Sequence, residues 1–259
     1  MAIKHLALPV KLVFKNKEQL APGVYRFNFA PTKALHWKAG QHGLLEIRLA
    51  SGKTGRKLFS ISSAPADGVI SITTKANPLE SGAFKRRLLQ LKKGSTAQLR
   101  GPVGNLYIKN HNQHYVFMAT GIGITPFYAI LAQLAAEKSK THVTLFYSNN
   151  SGDHYYRDQL SEFNKHVTNL SIKYINKPER ITGHIIEDTL GTSLYDCVFL
   201  LAGSPKNITS YRRTVQGLGI HRKQIISDPF YTIRPVKIVI PAKMLQRPKP
   251  PKLGFFGNK

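Results

Sequence analysis

Apolar and polar residues alternate along much of the first hundred positions. Leu45-Glu46-Ile47-Arg48-Leu49 places every second side chain on one face, the period of a half-buried strand. Tyr25-Arg26-Phe27-Asn28-Phe29 repeats the pattern and stops at Pro31, and Val69-Ile70-Ser71-Ile72-Thr73-Thr74 is rich in β-branched residues that suit a pleated surface. Turn residues punctuate these runs at Pro22-Gly23, Ala39-Gly40, Ser51-Gly52, Asp67-Gly68, Lys93-Gly94 and Gly101-Pro102. Short strands at such spacing predict a small antiparallel barrel. A single helix interrupts it near Ser81 to Leu91, with Phe84, Leu88 and Leu91 on one face.

After position 110 the rhythm changes. Tyr115-Val116-Phe117-Met118-Ala119 is a continuous apolar run, as in a strand buried on both faces. A glycine-rich turn follows, then Phe127, Ile130, Leu131 and Leu134 at helical spacing. Strands are expected at Val143–Tyr147, Ile172–Ile175, Val198–Leu201 and Ile225-Ile226, with helices near 155–167 and 206–217. Strand–helix alternation of this kind predicts a parallel sheet covered by helices. The fold class is thus β + α/β: an antiparallel β-barrel over 1–110, a parallel-sheet α/β domain over 111–231, and a basic, proline-rich tail over 232–259.

Charge sharpens that division. The net charge is +25, with 19 basic and 4 acidic side chains in 1–110, 12 and 9 in 111–231, and 7 and none in 232–259. Such a field attracts anionic partners without dictating a fold. An acidic protein, an anionic lipid surface and nucleic acid all satisfy it. One cysteine, Cys197, leaves no basis for an internal disulfide, a cysteine-held iron–sulfur cluster or a multi-cysteine zinc site. No apolar run reaches the ~18 residues of a membrane span, and no secretory leader is visible. The expected compartment is the cytoplasm, with the basic tail as a means of association at the cytoplasmic face of a membrane. His111 and His114 lie three apart with no third ligand in view, so no metal site is expected.

Three segments carry candidate chemistry. In Ala119-Thr120-Gly121-Ile122-Gly123-Ile124-Thr125-Pro126 a buried strand ends, two glycines permit close backbone approach, and Pro126 suits the first helical turn. Free N–H groups there make an anion site for a pyrophosphate, although glycines that serve only packing fit the same pattern. In Lys57-Leu58-Phe59-Ser60 an aromatic ring can stack on a planar heterocycle, the hydroxyl can bond a ring nitrogen and the lysine can meet a phosphate. A strand with Phe59 in the core is the alternative. Leu201-Ala202-Gly203-Ser204-Pro205 is a second strand-to-helix turn, placed where ligands sit at the carboxyl edge of a parallel sheet.

Taken in order, these segments resemble the ferredoxin–NADP reductase superfamily over about residues 8–231. Lys57-Leu58-Phe59-Ser60 is similar to its Arg-x-Tyr-Ser flavin segment, and Ser81-Gly82-Ala83-Phe84-Lys85 to its Gly-x-x-Ser/Thr phosphate segment. Gly121 to Pro126 matches its Gly-x-Gly-x-x-Pro turn, and Ala202-Gly203-Ser204-Pro205 its Cys-Gly-x-Pro segment. Gly101-Pro102-Val103-Gly104 resembles the stretch that closes the barrel, and Ile226-Ser227-Asp228-Pro229-Phe230 the closing acidic-aromatic segment.

The resemblance implies a flavoprotein binding FAD, in preference to FMN, that takes hydride from NADH or NADPH and passes electrons to a separate acceptor. It implies that Phe59 lies against the isoalloxazine and that Ser60, the catalytic candidate, bonds its N5. Lys57, Gly82, Ala83, Phe84 and Lys85 would surround the phosphates, Thr74 and Lys75 the N1/O2 edge, and Phe230 the opposite ring face. Gly121, Gly123, Ile124, Thr125 and Pro126, with Gly203, Ser204 and Pro205, would hold the nicotinamide nucleotide. Four departures stand out: Lys57 for Arg, Phe59 for Tyr, Lys85 for a hydroxyl and Ala202 for Cys. After Phe146-Tyr147 no cation appears until Arg157, which favours NADH, with Arg157, Arg212 and Arg213 as the cations able to reverse that reading. The barrel's charge favours an acidic electron-carrier protein as acceptor. The contrasting expectation is a basic adaptor of the same fold that binds nucleic acid or an anionic membrane with little catalysis, but no RNA-binding aromatic motif supports it.

Overall fold

Two sheets organise the chain in a computed structural model that describes residues 8–149 and 152–228. The first contains β1 (Val10–Ala21), β2 (Val24–Pro31), β3 (His42–Arg48), β4 (Thr54–Ser60), β5 (Ile70–Lys75) and β6 (Thr96–Val103). Its order is β4-β3-β6-β1-β2-β5, every pair antiparallel. The sheet curls until its edges meet, where Ser62 N–H, just past β4, donates to Ser71 O in β5 at 2.8 Å. Alternation explains the curl: Leu12, Phe14, Phe27, Phe29, Leu45, Ile70, Ile72 and Leu99 all turn into one core. Helix α1 (Ala83–Leu89) adds Phe84 and Leu88 to that core.

The second sheet contains β7 (Tyr115–Thr120), β8 (Val143–Asn149), β9 (Leu170–Asn176), β10 (Val198–Ala202) and β11 (Ile225–Ser227), all parallel, in the order β11-β10-β7-β8-β9. Helices α2 (Thr125–Ala136), α3 (Arg157–His166), α4 (Gly183–Leu190) and α5 (Pro205–Gly217) connect them. β7 separates two cores. Tyr115, Phe117 and Ala119 join Phe127 and Leu131 of α2, whereas Val116 and Met118 join Phe199, Ile208 and Val215 on the other side. A central strand apolar at every position is what two covered faces require. Among the described residues no helix is long and apolar enough to cross a membrane.

Three elements depart from the sequence expectation. Gly101-Pro102, expected as a turn, lies inside β6. β1 is twelve residues long; its first half alternates, but its second half is almost wholly solvated and carries no such mark. α4 escaped notice because its eight residues bury only Ile186 and Leu190, too few positions to display a helical period; Thr182 caps it by accepting from Ile185 N–H. Phe230 and the 232–259 tail lie outside the described residues.

Candidate active site

On the barrel side, strand register decides what faces what. Ser60 lies directly opposite His42, and Lys57 opposite Leu45. Lys57 and Phe59 therefore share one face of β4 and Ser60 the other, because strand side chains alternate. Phe59 is half-buried and its ring sits 5.9 Å from that of Phe84, tilted by 34°. The Ser60 hydroxyl makes no hydrogen bond among the described residues. Its cross-strand neighbour His42 lies with Nδ1 3.4 Å from Asp228 Oδ2. Asp228 also accepts from the N–H groups of Asn105 and Leu106. Burial acts to raise the Asp228 pKa, but the bonds from His42, Asn105 and Leu106 win and hold it below the ordinary carboxylate value.

The most telling feature is a group of three lysines. Lys57 on β4, Lys75 at the end of β5 and Lys85 on α1 converge, and Lys85 Nζ donates to Lys75 O at 2.6 Å. Burial, then the charges of Lys57 and Lys75, push the Lys85 pKa down. Among the described residues no carboxylate pairs with any of the three. Beside them Gly82 and Ala83 are exposed, the start of α1 has no side-chain cap, and a Cβ added at Gly82 would meet nothing within 4 Å. Like charges held together around an open backbone fit a phosphate-bearing ligand.

On the sheet side, Gly121 takes φ +53°, a left-handed conformation that glycine adopts without strain. The Tyr147 hydroxyl braces the turn: it donates to Gly121 O at 3.2 Å and accepts from Tyr155 N–H at 3.0 Å. Burial raises the pKa of that phenol, so it stays protonated as a donor. Thr120 Oγ1 pairs with the Tyr211 hydroxyl of α5. A Cβ at Gly123 would fall 2.7 Å from Ala202 O and Gly203 Cα. That glycine therefore lets the 120–125 turn and the 202–205 turn close on each other at the carboxyl edge of neighbouring strands β7 and β10. The two halves meet, because β5 packs against the Gly121–Ile124 turn and Lys75 Nζ lies 5.5 Å from the centre of the Tyr155 ring.

Several expected site residues have other duties. Ile124 and Pro126 are buried, and Thr125 donates its hydroxyl to Ile122 O, so all three shape the turn. Phe84 is committed to the barrel core, leaving only its backbone to face a ligand. Thr74 shares its face with Ile70 and Ile72, is 5% exposed and donates to Lys75 O; Thr73 and Lys75 form the face turned toward the second domain. Ser204 caps α5 by accepting from Asn207 N–H, while Gly203 and Pro205 remain at the rim. His42, Thr73, Tyr128 and Tyr156 were not singled out from the sequence. Their partners lie far along the chain, and no local pattern announces such pairs.

The lysine group fits the phosphates of a dinucleotide flavin, with Phe59, partly packed against the barrel core, and Ser60, on the other face of β4, at the strand end beside it. Comparisons with known proteins agree. Residues 10–108 match the model of the oxidoreductase FAD-binding domain and residues 117–213 that of the oxidoreductase NAD-binding domain, together well over half of the chain. NADH-cytochrome b5 reductase 1 of Emericella nidulans is 29% identical over 241 residues, spanning 83% of this chain and 76% of that protein. The FAD/NAD-binding domain of nitric oxide dioxygenase from Vibrio cholerae superposes with a TM-score of 0.74 at 20% identity, covering 85% of this chain and 98% of that one. The cytochrome b5 reductase domain of Ulva prolifera nitrate reductase gives 0.74 at 19%, covering 86% and 98%. With two matched domains in this order, a rolled antiparallel sheet joined to a parallel one and glycine turns at their junction, the chain belongs to the ferredoxin–NADP reductase superfamily.

Proposed function

We propose that this chain is an FAD-dependent oxidoreductase that draws electrons from NADH and delivers them to a separate, acidic electron-carrier protein. One observation carries the reading: the Lys57–Lys75–Lys85 group and the Phe59–Ser60 strand end belong to a barrel whose β5 packs against the glycine turn at the mouth of the second sheet. FAD, when bound, would supply the redox chemistry of hydride acceptance and single-electron release. The protein supplies orientation and charge. Lys57, Lys75 and Lys85 hold the phosphates, and Phe59 offers a ring face. Ser60 places a hydroxyl at the site of proton and hydride exchange, and Asp228 fixes the His42 ring behind it through Nδ1. Gly121 and Gly203 admit the pyridine nucleotide close to backbone.

The preference for NADH rests on where the candidate cations are. Arg157 stacks its guanidinium 4.8 Å from the centre of the Tyr174 ring, and Arg212 donates to Ser227 Oγ at 2.6 Å. Both are engaged within the protein, so of the three candidate arginines only Arg213, exposed on α5 beside Lys206, is left to meet a 2′-phosphate. The acidic acceptor rests on the +15 balance of residues 1–110. The test is a visible spectrum of the purified protein, followed by anaerobic addition of NADH or NADPH. Flavin absorbance that bleaches faster with NADH supports the proposal; no flavin uptake, or no bleaching with either nucleotide, refutes it.

A further inference from the structure

Between the barrel and α2 and α3 lies a polar and aromatic cluster outside the cofactor residues named above. Tyr128 of α2 and Tyr156, immediately before α3, stack with ring centres 3.9 Å apart and planes within 19°. Both are buried. The Tyr156 hydroxyl lies 2.5 Å from Thr73 Oγ1 of β5, which lies 2.9 Å from Ser62 Oγ beyond β4. Arg26 of β2 sits 5.5 Å from the centre of the Tyr128 ring, donates from Nη1 to its hydroxyl at 3.4 Å and approaches Asp67 at 3.9 Å. Its buried Nε has no hydrogen-bond partner among the described residues. Tyr156 is held at φ +64°, a left-handed conformation that an aromatic residue adopts only when its surroundings impose it.

Packing alone does not require this arrangement, since two leucines would fill the same gap without buried hydroxyls. What the cluster adds is direction. Ser62 stands two residues from Ser60, and Thr73 two from Lys75, so both hydroxyls lie on the segments that carry the flavin candidates. Tyr156 follows Tyr155, whose N–H binds the Tyr147 hydroxyl that braces the glycine turn. The cluster therefore ties the two cofactor-bearing segments of the barrel to the nucleotide turn of the sheet through a directional chain of hydrogen bonds.

We propose that Tyr128 and Tyr156, with Arg26 and Thr73, are positioning residues that fix the domain-to-domain register needed for hydride transfer. The proposal rests on the oxidoreductase reading above and goes beyond it. Tyr156→Phe and Thr73→Val both remove the Tyr156–Thr73 hydrogen bond, Thr73→Val the Thr73–Ser62 bond as well, and both leave the volume nearly unchanged. Each should slow anaerobic flavin bleaching at saturating NADH by roughly tenfold, since small misplacements of reacting groups are costly. The double variant should be no slower than Thr73→Val alone, because that substitution already removes the bond that Tyr156→Phe removes. Thr73→Ser, which keeps the hydroxyl, should restore the wild-type rate. Affinity for FAD and KM for NADH should stay within about twofold, because neither residue is among those assigned above to the ligands.

A second readout needs no cofactor. Trp37, the only tryptophan, lines an interdomain cleft of about 270 Å³ opposite Ile130 and Leu134 of α2. Its fluorescence in the cofactor-free protein should move to longer wavelength in Tyr128→Leu/Tyr156→Leu as the domains part. Wild-type bleaching in Tyr156→Phe and Thr73→Val, or unchanged Trp37 emission in the double leucine variant, would overturn the proposal. A wild-type protein that binds FAD but is not bleached would instead overturn the assigned reaction, and the Trp37 shift would still show whether the cluster sets the domain register.

Discussion

Gly123→Ala tests the claim that the two nucleotide turns owe their shape to a missing side chain. The added Cβ would lie 2.7 Å from Ala202 O and from Gly203 Cα, where ordinary contact begins at 3.4 Å. Both neighbours are backbone atoms, and Ala202 is locked into β10 opposite Ala119 of β7, so neither can rotate away. One turn must retreat by roughly 0.7 Å, an overpacking that costs about 1–3 kcal/mol. For a chain of this size each kcal/mol lowers the melting temperature by roughly 2–4 °C. Circular dichroism melts should record that loss, and titration with NAD⁺ should show weaker binding because the turn assigned above to the nucleotide has moved. Gly82→Ala is the matched control. Gly82 lies in open space at φ −60°, so its melt should follow the wild type while FAD affinity falls from crowding of the phosphate mouth. A Gly123→Ala protein that melts and binds NAD⁺ like the wild type would refute the packing argument.

Three further outcomes follow from the same geometry. Lys57→Ala and Lys85→Ala should each weaken FAD binding by about tenfold, the scale of one charge-assisted hydrogen bond, and should flatten its salt dependence in titrations at rising ionic strength. Glu46 is buried and its Oε1 accepts from both Arg56 Nε at 2.8 Å and Arg100 Nε at 2.9 Å. Because those arginines are 45% and 29% exposed and can rehydrate, Glu46→Ala should cost about 2 kcal/mol in urea unfolding, less than a fully buried pair would. Asp228 has a folded pKa below its unfolded value, so its stabilisation is complete above the unfolded pKa and fades as pH falls through the folded one. The stability difference between wild type and Asp228→Asn should thus be constant from neutral pH down to about 5 and shrink below about 4.

The parts of this molecule that a local pattern can encode were legible in the chain itself. The five apolar residues at Tyr115–Ala119 announced a central parallel strand, and the alternation at Tyr25–Phe29 and Leu45–Leu49 announced barrel strands. The glycine turns marked the carboxyl edge of the second sheet, where β7 and β10 end. What a pattern cannot encode is the partner. Gly123 satisfies one rule for approach to a ligand and another for approach to backbone, and only the neighbouring Ala202 decides between them. Thr73 and Thr74 look alike in the chain, and only the docking of the second domain distinguishes the face of β5 that carries Thr73. Arg26, Thr73, Tyr128 and Tyr156 come from four separate elements and converge only after the barrel has rolled and docked.

The departures from the family pattern also become coherent once partners are known. Lys57 in place of Arg exchanges a planar fork for a point charge, which taken alone weakens a phosphate site. Lys85 in place of a hydroxyl looks like a second, unrelated loss. In the fold the two lie together with Lys75, and Lys85 reaches back to Lys75 O. Three point charges from three elements replace one bidentate group. Their mutual repulsion, unrelieved by any carboxylate among the described residues, is relieved when an anion binds. On the proposed assignment, binding of FAD is thereby coupled to the joining of β4, β5 and α1, so loss of the cofactor should loosen those three elements.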